Sequence, residues 1–347
     1  MGTESVVLGL SGGVDSAVAA RLLLEAGYTV YGHWLDIGLG GGEDAATLAH
    51  RMGLPFQAVD IRERLEHFVC ADFQREYLAG RTPLPCARCN PLVKFPALLE
   101  VAEAQGAQYV ATGHYARIDH QADGTAVLQK SSCLERDQSY MLYRLSQEQL
   151  AMLLLPLEGL EKPQVREIAR QLGLVCADAP DSQEICWLPD GDYAAFIEQT
   201  LGKSEPGDFV SPDGQVCGRH KGLLHYTVGQ RKHLGVALGY PVFIKEIDPE
   251  QNRIYLARTG EEYAGGVLLT DCVIQPNPWL NAGQKTAHVL VKVRSRAPDA
   301  PATVTLLDDG RAQVVFDAPQ RAPAPGQSCV IYRDAAVLGG GFIQRQI

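Results

Sequence analysis

The stretch that most limits how this chain can fold is Ser11-Gly-Gly-Val-Asp-Ser16, between the apolar run Val6-Val-Leu-Gly-Leu10 and an amphipathic segment over residues 14–26. The apolar run reads as a buried parallel strand. Val14, Val18, Leu22 and Leu23 then recur on one helical face until Gly27 ends it. Gly12 and Gly13 free the backbone to turn with positive φ and to come close to an anion. The N–H groups of the loop and of the helix start would face that anion. Ser11 and Ser16 add hydroxyl donors, while Asp15 would repel bare phosphate and is suited to holding Mg2+ or polarising a neighbour. The loop has neither the lysine of a Walker loop nor the spacing of a dinucleotide fingerprint.

The same alternation continues downstream. Residues 28–35, 56–61 and 108–112 read as strands, and residues 43–52 and 95–105 as helices. Strands alternating with helices imply a parallel sheet covered on both faces, with ligands at the carboxyl ends of its strands. Helical patterns follow over 147–155, 162–172 and 192–201. From Gly202 the pattern changes to short β-type runs between turn signals, among them Pro-Asp-Gly at 212–214 and Pro-Gly at 325–326. We expect an α/β domain over residues 1–202, a small central β-rich domain over 203–262 and a C-terminal β-barrel over 263–347.

Charge alone does not choose a partner. The net charge is −10, but residues 1–200 contribute −12 and residues 201–347 contribute +2. No acid occurs from Gly214 to Lys245, where Arg219, Lys221, Arg231, Lys232 and Lys245 stand. Such a stretch reads either as a solvated face or as a patch that follows a phosphate backbone. No apolar run approaches the ~20 residues of a membrane span. The first residues carry no basic, cleavable leader, so a cytoplasmic protein is expected.

Nine cysteines, mostly scattered, do not resemble a disulfide framework. Gly80-Arg-Thr-Pro-Leu-Pro-Cys-Ala-Arg-Cys-Asn90 is proline-braced and reads as a loop. Asp181-Ser-Gln-Glu-Ile-Cys186 puts another cysteine in a polar stretch. Three readings stand side by side for Cys86 and Cys89: a zinc site without its second pair, iron–sulfur ligation with Cys186, or a nucleophile with a resolving partner, its thiolate favoured by Arg88.

The six-residue loop resembles that of the ATP-pyrophosphatase (PP-loop) superfamily, which implies an adenine-nucleotide α-hydrolase-like domain that cleaves ATP between its α and β phosphates. Over nearly its whole length the chain further resembles the tRNA-specific 2-thiouridylases. The matching elements are Gly9-Leu-Ser-Gly-Gly-Val-Asp-Ser16, Gly80-Arg-Thr-Pro83 with Cys89-Asn90, Lys94-Phe95, Ala111-Thr-Gly-His-Tyr-Ala-Arg117, Asp137-Gln-Ser-Tyr140, Asp181-Ser-Gln-Glu-Ile-Cys186, Tyr226-Thr-Val-Gly-Gln-Arg-Lys232 and Leu338-Gly-Gly-Gly341. The resemblance implies that Gly9, Leu10, Ser11, Gly12, Gly13, Val14, Asp15, Ser16, Leu35 and Gly113 contact ATP, with Asp15 assisting its activation. Cys89 matches the family's nucleophile and Cys186 its persulfide carrier. His114, Arg136, Asp137, Gln138, Arg294, Ser295 and Gln327 match positions near the tRNA. The implied reaction is adenylation of a uridine O2 followed by delivery of sulfur to C2. The implied partners are ATP with Mg2+, the Lys, Glu and Gln acceptor tRNAs, and a sulfur-relay protein or cysteine desulfurase, around a monomer.

The chain also departs from that family. Cys86 stands where many members have Asp, which favours an iron–sulfur cluster on Cys86, Cys89 and Cys186. Pro91 replaces a basic residue, Arg136 a lysine and Ser295 an aromatic, and residues 38–42 are short and glycine-rich. The rival readings are a PP-loop synthetase that adenylates a small molecule and a non-catalytic RNA-binding or iron–sulfur protein.

Overall fold

The computed structural model describes residues 4–178, 185–188, 190–277 and 283–347. The chain divides into two compact units. One comprises Met1–Val69, Cys86–Gln183 and Asp334–Val337, the other Cys70–Pro85, Glu184–Arg333 and Leu338–Ile347.

The first unit is built on a five-stranded sheet. Its strands are β1 (Ser5–Gly9), β2 (Thr29–Asp36), β3 (Phe56–Asp60), β4 (Tyr109–Ala111) and the short Leu153–Leu154, all parallel, in the spatial order β3-β2-β1-β4 and then 153–154. The order reverses between β1 and β4, and a crevice opens at such a switch point in parallel sheets. Val6, Val7 and Leu8 are each fully buried because β1 is covered on both faces, and each such side chain contributes about 1.5–3 kcal/mol by leaving water. On one face Val6 and Leu8 pack with Ala17 and Val18 of α1 (Val14–Glu25) and with Val165 and Ala169 of the helix Lys162–Gln171. Gly9 belongs to the other face, where a Cβ would touch Leu98 of the helix Phe95–Gln105 at 3.4 Å. α2 (Gly42–Arg51) links β2 to β3.

Two local expectations are corrected. Residues 147–155 are not one helix. A helix over Gln147–Ala151 ends, and Leu153–Leu154 joins the sheet beside β4. The triple leucine at 153–155 has no polar face, so the sheet edge takes it up instead. The Cys86–Cys89 stretch is not a loop. It is one α-helical turn, followed by a π-helical segment over Asn90–Lys94 that runs on into Phe95–Gln105. Pro91 cannot donate to the preceding turn. The register accordingly widens, with the Phe95 N–H donating to the Asn90 carbonyl five residues back.

The second unit is mostly β. A four-stranded sheet sets Val242–Asp248, Arg253–Arg258, Gly207–Val210 and Val216–His220 side by side. Its core holds Phe209, Tyr226, Ile244, Ile254 and Leu256. Six antiparallel strands, Tyr263–Ile274, Ala312–Arg321, Ala300–Leu306, Thr286–Lys292, Ser328–Arg333 and Ala336–Gln346, follow in that spatial order. They close into a barrel where the last pairs back on the first, around Val267, Val291, Val304, Val314 and Ile331. The helix Ala71–Leu78 belongs to this unit through aromatic contacts: Phe73 meets Trp187 edge-on at 5.0 Å, and Tyr77 stacks on Tyr193 at 4.5 Å. The α/β part followed by a small β-rich part and a β-barrel agrees with the fold class read from the sequence. Among the described residues no helix is long and apolar enough to cross a membrane.

Candidate active site

The loop between β1 and α1 is held open by its own hydroxyls. Ser16 Oγ, almost fully buried, accepts from the Ser11 N–H at 3.1 Å and donates to the Gly13 carbonyl at 3.0 Å. Ser11 and Ser16 Oγ are 3.1 Å apart, so the two serines brace the turn as well as offering donors. Gly12 has φ +77°, and a Cβ there would also press on Asp44 and Ala45 at the start of α2 (3.3 and 3.2 Å). Gly13 precedes α1 with no side-chain cap, which leaves the first N–H groups of that helix for an anion.

Around this loop stand the other residues expected at ATP. Leu10 is buried and donates its N–H to the His33 carbonyl at 2.8 Å. Leu35 is half-buried near the carboxyl end of β2. Gly113 follows β4, and a Cβ on it would meet the Asp15 carbonyl carbon and the Ser16 nitrogen at 2.9 Å. Glycine is needed here because the chain beyond β4 lies directly on the first turn of α1. This contact closes the switch-point crevice around the loop.

Asp15 is not a bare carboxylate. Lys162 Nζ lies 2.7 and 2.8 Å from its two oxygens, and the Tyr115 hydroxyl donates to Oδ1 at 2.7 Å. The Lys162 ammonium also sits 6.0 Å from the centroid of the Tyr115 ring. Lys162 is nearly buried, its side chain 8% exposed against 34% for Asp15. Neither Lys162 nor Tyr115 was assigned a role from sequence. One signal was present: Lys162 opens a helix immediately before Pro163, where the helix dipole disfavours a cation.

His114 is half-buried, with Nδ1 2.7 Å from Thr112 Oγ1 and its ring tilted against Phe95 at 6.1 Å. Burial first, and the Lys94 ammonium second, hold its pKa well below the ordinary histidine range. Gln138 exchanges hydrogen bonds with the backbone of Tyr115, its side-chain Oε1 accepting from the N–H at 2.9 Å and its own backbone N–H donating to the carbonyl at 2.7 Å. Asp137 accepts from the Ser131 N–H and from Ser139 N–H and Oγ. These two side chains shape the turn around Tyr115, and Arg136 ends the short 3-10 turn before them.

Cys86 is half-buried and Cys89 buried, at the two ends of the helical turn that precedes the π-helical segment. Next to Cys89, the buried Asn90 donates to the Met141 carbonyl at 2.9 Å. Cys186 belongs to the second unit and is exposed, in a turn closed by the Leu188 N–H on the Ile185 carbonyl at 2.8 Å and anchored by the buried Trp187. Asp181, Ser182, Gln183 and Glu184 of its motif lie outside the described residues. Within either unit, no group of three or more His, Cys, Asp or Glu side chains is gathered as a metal set among the described residues.

In the second unit Gln327 donates to the carbonyls of Thr82 and Pro83 at 2.9 and 3.3 Å, and Gly326 leaves space for Thr82. Arg294 donates to the Ala322 carbonyl beside Gly229, and Ser295 is half-buried in the bend that follows.

The parallel sheet, the switch point and the braced glycine loop define a nucleotide-binding α/β domain joined to two β domains. Family models match in the same order. The tRNA methyl transferase HUP domain covers residues 4–190, the tRNA methyl transferase PRC-barrel domain residues 194–258 and the aminomethyltransferase beta-barrel domain residues 270–343. Similar proteins named tRNA-specific 2-thiouridylase MnmA include one from Acetivibrio thermocellus, 41% identical over 99% of this chain and all of the relative. One from Heliobacterium modesticaldum is 45% identical over 99% of this chain and 93% of the relative. One from Carboxydothermus hydrogenoformans is 40% identical over all of this chain and 99% of the relative. The chain belongs to the tRNA-specific 2-thiouridylase family.

Proposed function

We propose that this protein is an ATP-dependent sulfurtransferase that converts a wobble uridine of tRNA to 2-thiouridine. The observation that carries the reading is the braced Ser11–Ser16 loop at the switch point, in a chain similar over its whole length to 2-thiouridylases. Uridine O2 is a poor leaving group, and transfer of AMP onto it makes it a good one. The loop N–H groups and the start of α1 hold the ATP phosphates, Leu35 lines the nucleoside side, Leu10 backs the loop from the core, and Lys162 cancels the charge of Asp15 so that the loop stays attractive to an anion. Mg2+ brought with ATP would be held on the protein side by Asp15 and would offset phosphate charge as pyrophosphate leaves. Asp15 keeps lone pairs for it, though the Lys162 ammonium beside that carboxylate opposes a second cation.

The terminal sulfur of a Cys186 persulfide attacks C2 and AMP leaves. Cys89 thiolate then attacks Cys186 Sγ, the S–S bond to the uridine sulfur breaks, and a Cys89–Cys186 disulfide is left for a dithiol reductant. Cys86 and Cys89 at the ends of one helical turn, with Cys186, also have the donor chemistry for an iron–sulfur cluster. When bound, such a cluster would supply hydrosulfide in place of the persulfide. We take the catalytic domain as residues 1–202 and the two β domains as 203–262 and 263–347. His114, Arg136, Arg294, Ser295 and Gln327 belong to the tRNA side, the substrates are the Lys, Glu and Gln acceptors, and the protein works as a cytoplasmic monomer served by a sulfur-relay protein or cysteine desulfurase.

The test is anaerobic incubation of protein with MgATP, sulfide or a persulfide donor and unmodified tRNA, before and after iron chelation, with nucleosides read by mass spectrometry. 2-Thiouridine in both samples is the expected result. Thiouridine only before chelation replaces the persulfide route by the cluster. AMP formed with a small carboxylate or amide, or methyluridine without thiouridine, refutes the reading.

A further inference from the structure

We propose that His114 is the base that takes the N3 proton of the target uridine while O2 attacks the α-phosphorus of ATP, a role that rests on the thiolation reading above. Uridine O2 is a urea-type oxygen and a weak nucleophile as long as N3 keeps its proton. In the step proposed here the N3–H bond breaks toward His114 Nε2. Its electron pair forms a C2=N3 bond, and the C2=O2 pair forms the new O2–Pα bond. The Pα–O bond to pyrophosphate breaks and pyrophosphate leaves with that pair. When sulfur has replaced AMP at C2 and carries negative charge, the imidazolium returns the proton to N3 and the thione results. N3 carries a proton both before and after the cycle, and a single group that accepts and then returns it at that place suits imidazole.

The geometry fits this task at three points. His114 follows Gly113, whose backbone lies on the Asp15–Ser16 peptide where α1 begins, so the imidazole belongs to the chain segment that borders the phosphate loop. Its Nδ1 is 2.7 Å from Thr112 Oγ1. With Nδ1–H donating there, the lone pair is on Nε2, which has no hydrogen-bond partner among the described residues. The ring lies beside Phe95, the two centroids 6.1 Å apart and the planes tilted by 33°. Lys94 from the π-helical segment is the charged group that acts on this ring, and with burial it disfavours the imidazolium. The resting imidazole is therefore neutral, with the Nε2 lone pair available to the N3 proton.

Two substrates separate a base from a residue that only touches RNA. Full-length protein is given tRNA carrying uridine, or a single 5-fluorouridine, at the target position. Fluorine makes N3–H more acidic and so reduces the need for a base. For His114→Gln we expect about a 10²–10³-fold loss in the rate of thiolation of uridine, and at least a tenfold smaller loss on 5-fluorouridine. Thr112→Val, which frees Nδ1 from its partner, should show the same pattern more weakly. Binding of α,β-methylene-ATP at wild-type strength certifies that each variant is folded. Equal losses on both substrates would overturn the base role and leave a tRNA contact. If wild-type protein forms no 2-thiouridine on either substrate, the thiolation reading itself fails.

Discussion

Replacing Lys162 by methionine keeps most of its buried stem and removes the charge that faces Asp15. The two Nζ–O distances of 2.7 and 2.8 Å make this a bidentate contact on a nearly buried lysine. Without it, the Asp15 carboxylate stands in the first turn of α1 with the Tyr115 hydroxyl but no cation. For a phosphate charge about 7 Å away and an effective dielectric of about 20, the repulsion is about 2.4 kcal/mol, or roughly 50-fold in affinity. Asp15 is a third exposed, so the cost to folding should be smaller, about 1 kcal/mol after solvent screening. We expect Lys162→Met to weaken α,β-methylene-ATP binding by about 10–100-fold in calorimetry. The charge argument has a stricter consequence. In Lys162→Met with Asp15→Asn the repulsion is gone, so binding should recover to within about fivefold of wild type. A double variant as weak as the single one, or a single variant that binds normally, would refute it.

Gly113→Ala puts a methyl group 2.9 Å from backbone atoms of Asp15 and Ser16 that cannot move independently. It should lower stability by about 1–3 kcal/mol in urea titration and ATP affinity by tenfold or more. Gln327→Ala removes two hydrogen bonds that hold Thr82 and Pro83. Faster amide exchange in residues 80–84 is expected, with a loss of about 1–2 kcal/mol, and unchanged exchange there would contradict the role. His33, His114 and His220 all have pKa values lowered by burial. His220 uses both ring nitrogens, accepting from the Gly222 N–H at 3.2 Å and lying 3.1 Å from the Asn252 carbonyl. Their folded pKa values lie below the unfolded one, so the unfolded chain binds more protons under acid conditions. The stability they contribute is complete above about pH 6.5 and falls as pH drops from there toward the folded values. The melting temperature should decline over that window, and His220→Asn should flatten the decline.

What the sequence determined by itself is local. A strand buried on both faces, as β1 is, must be apolar throughout, and Gly27 with its positive φ follows the end of α1. The β1–loop–α1 unit and the helix over 95–105 were therefore legible from hydrophobic period and punctuation alone. The ordered motifs were also enough to place the chain in its family. The contacts that give the site its charge and shape were decided only by the tertiary structure. Lys162 reaches Asp15 across 147 residues of sequence and Gln327 reaches Thr82 across 245, and no periodicity encodes a pairing at that distance. The prolines around Cys86 suggested a loop because proline breaks a helix that must donate every N–H. Here the chain keeps a helical path by widening its register at Asn90–Lys94, a choice set by packing. Local rules describe a chain one turn at a time, whereas the neutralised Asp15 and the buried Cys89 depend on segments that meet only after the sheet has formed.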